Sequence, residues 1–215
     1  AGLRYVQPDK PLEAGYDAGN MNSLVILQEQ GHVIRVLKDI YTLAPDWLPE
    51  LGRQFREFFA PHKYKMLNLR YDRAANNYGK AKRDFASELK HSIEYDENAR
   101  PTGWRVNLMS LGAGNIEHED EYNLMNQMMG EKNPRLPKLL IDKYECRELK
   151  ASLELAPMEK QNGRIRKVKK SEKLAVKRLP MESTNMSDAF KFAVCTSKYM
   201  RIAKQLKMQG ITGLI

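Results

Sequence analysis

With 215 residues, 42% of them hydrophobic and 29% charged, the chain is long enough to bury the core of one large domain and too apolar for wholesale disorder. No apolar run approaches the roughly 18 residues of a membrane span, and no secretory hydrophobic segment opens the sequence, so a soluble protein without a membrane partner is expected. Cys146 and Cys195 lie far apart with no Cys/His ligand spacing around them, which excludes a zinc ribbon and a disulfide scaffold, while the formal net charge of +9 favours a polyanionic partner.

Residues 1–12 contain Pro8 and Pro11 and little periodicity, and read as a leader to a domain over 13–215. Three apolar runs follow, Glu13–Ala18, Leu24–Gln28 and His32–Ile40, separated by Asn/Gly turns, and predict an antiparallel three-strand meander. Asp46 is placed to cap a helix over Trp47–Phe59, in which Leu48, Leu51, Phe55, Phe58 and Phe59 recur at helical spacing. Lys65–Tyr71 reads as a buried strand ending at Asp72, followed by a helix over about Gly79–Ile93. Arg105–Ser110 is a further strand. An acidic-capped helix follows near Glu117–Met129, with Met125, Met128 and Met129 at core spacing, and Trp47 and Trp104 also read as core.

After Pro134 and Pro137, Lys138–Ile141 is a short strand, and Gln161-Asn162-Gly163 marks the turn of a hairpin within Leu153–Val168. A single last helix is expected from Asn185, carrying Met186, Phe190, Ala193, Ser197 and Met200 on one face. The order is that of a mixed α/β domain, and a meander followed by crossovers matches a ribonuclease H-like fold.

Three aspartates fall at element boundaries. Asp17 ends the first strand, Asp72 ends the fourth, and Asp188 lies in the first turn of the terminal helix. Each has an ordinary structural reading: a turn hydrogen bond, a strand end, a favourable helix-dipole position. Together they can reach one point off the sheet edge, where hard Mg2+ or Mn2+ takes a few carboxylate oxygens and leaves room for water and phosphate. Two such ions would suffice for phosphodiester hydrolysis. Asp84 and the acids of Glu117–Glu121 are the rivals, the second group reading as a helix cap, and His118 lacks a partner at ligand spacing.

The string Ser183-Thr184-Asn185-Met186-Ser187-Asp188-Ala189-Phe190 resembles the terminal acidic motif of tailed-phage large terminase nuclease domains. Gly15-Tyr16-Asp17-Ala18-Gly19-Asn20 is similar to their first motif, and Leu69-Arg70-Tyr71-Asp72 to their second. The resemblance implies a ribonuclease H-like mixed sheet, a two-metal endonuclease with Asp17, Asp72 and Asp188 as ligands, and little sequence specificity. Two departures bear on the ligand set: Asn185 stands where some members have His, and Asp72 where others have Glu.

By the same resemblance the expected partners are double-stranded DNA, a portal protein, a small terminase subunit and an ATPase motor domain of the same parent chain, in the cytoplasm of an infected bacterial host. This chain has no G-x-x-x-x-G-K-[ST] loop and looks like the nuclease part alone.

Between Met158 and Pro180 nine Lys/Arg face two Glu. Arg164, Arg166, Lys167, Lys169 and Lys170 of this hairpin region (about 153–180) are candidates to track a DNA backbone, as are Arg73, Lys80 and Arg83 after Asp72; a solvated charged surface is the plain alternative. The competing functions are another ribonuclease H-like nuclease, such as a junction resolvase or exonuclease, and a non-catalytic nucleic-acid-binding or assembly domain.

Overall fold

Residues 5–43, 47–72, 84–110, 118–155, 158–161, 164–168 and 178–208 are described by the computed structural model. The meander is present as β1 (Leu12–Asp17), β2 (Met21–Gln30) and β3 (Val33–Leu43), joined antiparallel. Then come α1 (Leu48–Phe58), β4 (Met66–Tyr71), α2 (Phe85–Glu94), β5 (Arg105–Ser110), α3 (His118–Met129), β6 (Lys138–Ile141) and α4 (Arg147–Leu155). The hairpin β7 (Met158–Gln161) and β8 (Arg164–Lys167) follows, and α5 (Leu179–Glu182), α6 (Asn185–Val194) and α7 (Ser197–Met208) close the order.

The main sheet runs β5-β4-β1-β2-β3-β6, with β4 and β5 parallel to β1 and β6 parallel to β3. Alternation along each strand divides the core in two. Leu12, Ala14, Tyr16, Leu24, Ile26, Leu67 and Leu69 pack against α1 and α2 on one face. Met21, Val25, Leu27, Ile34 and Val36 pack against α3, α4, α6 and α7 on the other. Central β2 is therefore buried on both faces over Met21–Gln28, which is why its sequence lacks polar alternation.

Several expectations need correction. The predicted second strand starts three residues too late, because Met21 and Asn22 already pair with Leu43 and Thr42. Helix α1 is capped at Trp47, with no side-chain cap bond, and the proposed cap Asp46 lies outside the described residues. Helix α2 starts at Phe85 because Asp84 accepts a bond from the Ser87 amide at 2.7 Å; the expected start at Gly79 lies outside the described residues.

Helix α4 has no counterpart among the expected elements, and it takes 153–155 away from the expected hairpin. The single terminal helix is in fact two: Cys195, with ψ at 58°, leaves the helical region, and the Met200 amide then bonds the Thr196 carbonyl to start a new one. Trp104 is core at 4% exposure, but Trp47 is 43% exposed and meets Phe85 edge-on. Met125 and Met128 are buried, and Met129 is not.

The expected leader is tied down where it is described. The Gln28 side chain accepts from the Gln7 amide at 2.8 Å and donates to the Gln7 carbonyl at 2.9 Å, and the Lys63 and Tyr64 amides both bond the Pro8 carbonyl. Among the described residues no helix is long and apolar enough to cross a membrane.

Candidate active site

Tyr16 and Tyr71 are partners in the parallel register of β1 with β4. The residues that follow them, Asp17 and Asp72, therefore stand at matching positions at the carboxyl ends of neighbouring strands. Asp17 is half-buried and Asp72 exposed. Tyr16 itself points into the α1–α2 face, where its hydroxyl donates to Asn22 Oδ1 at 2.9 Å. Burial, with the carboxylates of Asp17 and Glu88 adding, pushes its pKa far above the ordinary tyrosine value.

Helix α6 is laid directly on β1, and Gly15 is what permits it. A Cβ there would stand 1.8 Å from the Ala189 carbonyl oxygen and 2.7 Å from the Ala193 amide nitrogen. A Cβ on Gly19 would stand 2.7 Å from Asn185 Nδ2. This approach brings the start of α6 to the sheet edge, where Asn185 Nδ2 donates to Asp17 Oδ2 at 2.9 Å. Asp188 lies one helical turn further along the same helix.

The α6 N-terminus is built from buried polar groups. The Asn185 amide donates to Ser183 Oγ at 3.1 Å, and Ser183 Oγ also bonds Asn185 Oδ1. Ser152 Oγ from α4 donates to the Ser183 carbonyl at 2.8 Å and accepts from the Ser187 amide at 3.0 Å. The approach to α6 and its first turn are thereby pinned to α4 through one hydroxyl.

Asp188 is 3% exposed. Its Oδ1 lies 2.9 Å from Lys191 Nζ, and the same ammonium lies 3.2 Å from Glu121 Oε2 on α3. Burial alone would lower the Lys191 pKa; the carboxylates of Asp188 and Glu121 outweigh it and hold the ammonium above its ordinary value. Sequence reasoning reaches Glu121 only as part of a helix cap and does not reach Lys191. The spacing Asp188-x-x-Lys191 is the available local signal, since residues three apart share a helix face.

Thus the fold gathers Asp17, Asp72 and the α6 N-terminus at one edge, with Asn185 bonded to Asp17 and Asp188 turned to Lys191. Hard oxygen donors on three elements suit Mg2+ or Mn2+ chemically. Among the described residues, though, no three His, Cys, Asp or Glu side chains are gathered closely enough to hold an ion. Asp84 is engaged as the α2 cap. Glu119, Asp120 and Glu121 do lie in the first turn of α3, but Asp120 pairs with Lys204 at 2.7 Å and Glu121 with Lys191. Arg164, Arg166 and Lys167 lie on β8, and Arg73, Lys80, Arg83, Lys169 and Lys170 lie outside the described residues.

No protein-family model matches the sequence, and no curated protein matches it. Solved structures are similar in fold. The large terminase from a thermophilic bacteriophage aligns at a TM-score of 0.55 with 14% identity over 90% of this chain and 41% of its own. The chain thus spans about two fifths of that protein's length. The nuclease domain of the large terminase subunit gp2 of bacterial virus Sf6 aligns at a TM-score of 0.45 with 10% identity, over 86% of each chain. The Fowlpox virus resolvase, solved with Holliday junction DNA, aligns at a TM-score of 0.38 with 9% identity, over 88% of this chain and 97% of its own. In its sheet order and its two helical faces the chain has a ribonuclease H-like fold, similar to part of the thermophilic phage large terminase.

Proposed function

We propose that the chain is a divalent-metal-dependent DNA endonuclease that cuts concatemeric viral DNA during genome packaging, with Asp17, Asp72 and Asp188 as the metal ligands. The observation that carries this reading is the matched placement of Asp17 and Asp72 at the carboxyl ends of β1 and β4, with the α6 N-terminus bonded to Asp17. Bound there, a pair of Mg2+ or Mn2+ ions would supply Lewis-acid stabilisation of the charge that develops on the scissile phosphodiester.

The chain's own residues do the positioning. Asn185 fixes the Asp17 carboxylate by the bond to Oδ2. Gly15 sets how closely α6 approaches, and so where Asp188 stands relative to the strands. Asp72 is exposed at the sheet edge, so an ion held there would face solvent, from which a phosphate can approach. The surplus of basic residues over Met158–Pro180 supports a DNA partner held through its backbone, with little reading of sequence. On this reading the chain acts beside an ATPase motor domain of its parent protein, with a portal protein and a small terminase subunit, in the cytoplasm of an infected bacterial host.

The test is cleavage of supercoiled plasmid in Mn2+. Nicking that stops with EDTA and falls at least about 100-fold in Asp17→Asn, Asp72→Asn and Asp188→Asn is expected, as for loss of a group acting in the transition state. DNA binding without cleavage in any divalent metal would replace the enzyme with a binding or assembly module. Selective cutting of branched over linear duplex would replace the packaging role with that of a resolvase.

A further inference from the structure

The proposed ligand Asp188 is buried, and it is already neutralised by a cation belonging to the chain. Lys191 Nζ sits 2.9 Å from Asp188 and 3.2 Å from Glu121, with its side chain 18% exposed and theirs 4% and 10%. A lone buried carboxylate in this position would be costly, and a dication beside a buried ammonium with nowhere to go would be costly too. The arrangement answers both problems, because it has one ammonium and two carboxylates on different helices.

We propose that Lys191 is the resident counter-ion of Asp188, and that Glu121 is the seat that retains the ammonium when a divalent ion takes the Asp188 carboxylate. This rests on the metal-site reading above and adds the residues that set its affinity. In the absence of metal, Lys191 neutralises Asp188 and the helix start stays folded. With an ion bound, the Asp188 carboxylate would change partner while Lys191 kept Glu121, so that no buried charge would be left unpaired. Lys191 and Glu121 are positioning residues: neither needs to touch DNA.

Two substitutions should act in opposite directions. In Lys191→Gln the competing cation is gone, so the dissociation constant for Mn2+ falls about tenfold or more, a modest outcome for a unit charge at hydrogen-bond distance in a partly buried site. The same variant melts at a lower temperature in EDTA and regains more of that loss with Mn2+ than the wild type does. In Glu121→Gln the ammonium loses its alternative seat and holds Asp188 harder, so Mn2+ binding weakens about tenfold. Lys198→Gln, which removes an exposed ammonium paired with Glu29, leaves Mn2+ binding unchanged.

Mn2+ binding by the full chain is read by titration calorimetry and by the electron paramagnetic resonance signal of the free ion, neither of which depends on cleavage. Shifts in the same direction, or shifts under about threefold in both variants, overturn the counter-ion role and leave the nuclease reading standing. If the wild type binds Mn2+ no more tightly than Asp17→Asn and Asp72→Asn do, the metal-site reading falls first. Should Lys191→Gln fail to fold, Glu121→Gln decides alone, with Lys191→Arg expected to keep the wild-type affinity to within about threefold.

Discussion

The two faces of the sheet each bury an apolar core, but they differ in what is buried beside it. Against α1 and α2 the interior is aromatic: Phe55 meets Phe59 at 5.1 Å and Trp104 at 4.8 Å between ring centroids, and all three are nearly or fully buried. Against α6 the run Ser183–Asp188 is buried at every residue, and all but Met186 are polar. Burying apolar rings is favourable in itself, whereas each buried hydroxyl, amide or carboxylate must recover its lost hydration from a partner. The aromatic face gains its stability from ring burial, and the other face from its own apolar core of Met21, Val25, Leu27, Ile34 and Val36 against the helices. The polar face spends some of that stability on arranging side chains, which is where a site is expected.

Breaking the aromatic face should have the largest effect. Phe55→Ala removes a fully buried ring from between Phe59 and Trp104 and is expected to cost about 3–5 kcal/mol in urea unfolding. Cleavage measured well below the new midpoint should persist, because nothing at the Asp17 edge depends on that ring.

Next comes the close approach on each face. Gly15→Ala drives a methyl group into helix backbone, 1.8 Å from the Ala189 oxygen, which cannot move without α6; a cost of about 3 kcal/mol is expected, at the top of the overpacking range. Gly52→Ala on α1 meets the Ser92 hydroxyl at 2.2 Å, a group that can rotate, and the Ser92 carbonyl oxygen at 2.7 Å. Alanine also gains about 1 kcal/mol over glycine in a helix, so the net cost should be smaller, about 1 kcal/mol. Gly15→Ala should in addition lose Mn2+ binding while still folded. A larger cost at Gly52 than at Gly15 would reverse the contrast between the faces.

The faces should also answer pH in opposite senses. Asp39 on β3 accepts a bond from the Leu149 amide at 2.7 Å at the start of α4, and burial, with Glu148 adding, pushes its carboxyl up to about 7. A carboxyl raised in the fold contributes stability that is full below its ordinary value of 3.8 and is lost as pH rises through 7. His62, stacked on Trp104 in the aromatic core, is lowered by burial from its ordinary 6.5. Its contribution is full above 6.5 and is lost as pH falls through its folded pKa. Unfolding free energies measured from about pH 4 to 8 should lose their high-pH decline in Asp39→Asn and gain a flatter low-pH side in His62→Asn.

How much of this the sequence revealed follows from the range of each contact. The six strands of the sheet and helix α1 were legible because apolar β-branched runs bounded by turns and helical spacing are local signals, and Asp17, Asp72 and Asp188 were legible as element ends. Helix α4 was not, because its amino end is fixed by Asp39, 110 positions earlier in the chain. The bond of Asn185 to Asp17 spans 168 positions and that of Lys191 to Glu121 spans 70, so neither leaves a trace in local pattern. Trp47 departs from expectation for the opposite reason: its helical spacing with Leu51 is genuine, but it precedes α1, and a capping residue need not point inward.

The smallest effect, and the finest probe of the polar face, is thiol reactivity. Cys146 and Cys195 are both buried there; burial pushes the Cys195 thiol up to about 12 and raises that of Cys146 still further. Since the thiolate is the nucleophile, the native protein at about pH 8 should take up essentially no iodoacetamide, and any labelling must pass through opening of the fold. Cys146 sits against β3, its Sγ facing the Val36 carbonyl, and its amide is bonded to Asp142. Cys195 lies at the break between α6 and α7, where the Cys195 amide bonds the Lys191 carbonyl and the backbone leaves the helical region. In sub-denaturing urea Cys195 should be alkylated first, as α7 peels away before the sheet parts, with the adducts followed by mass spectrometry. Equal rates at the two thiols would mean that the polar face opens only with the whole molecule, and would remove its distinction from the aromatic one.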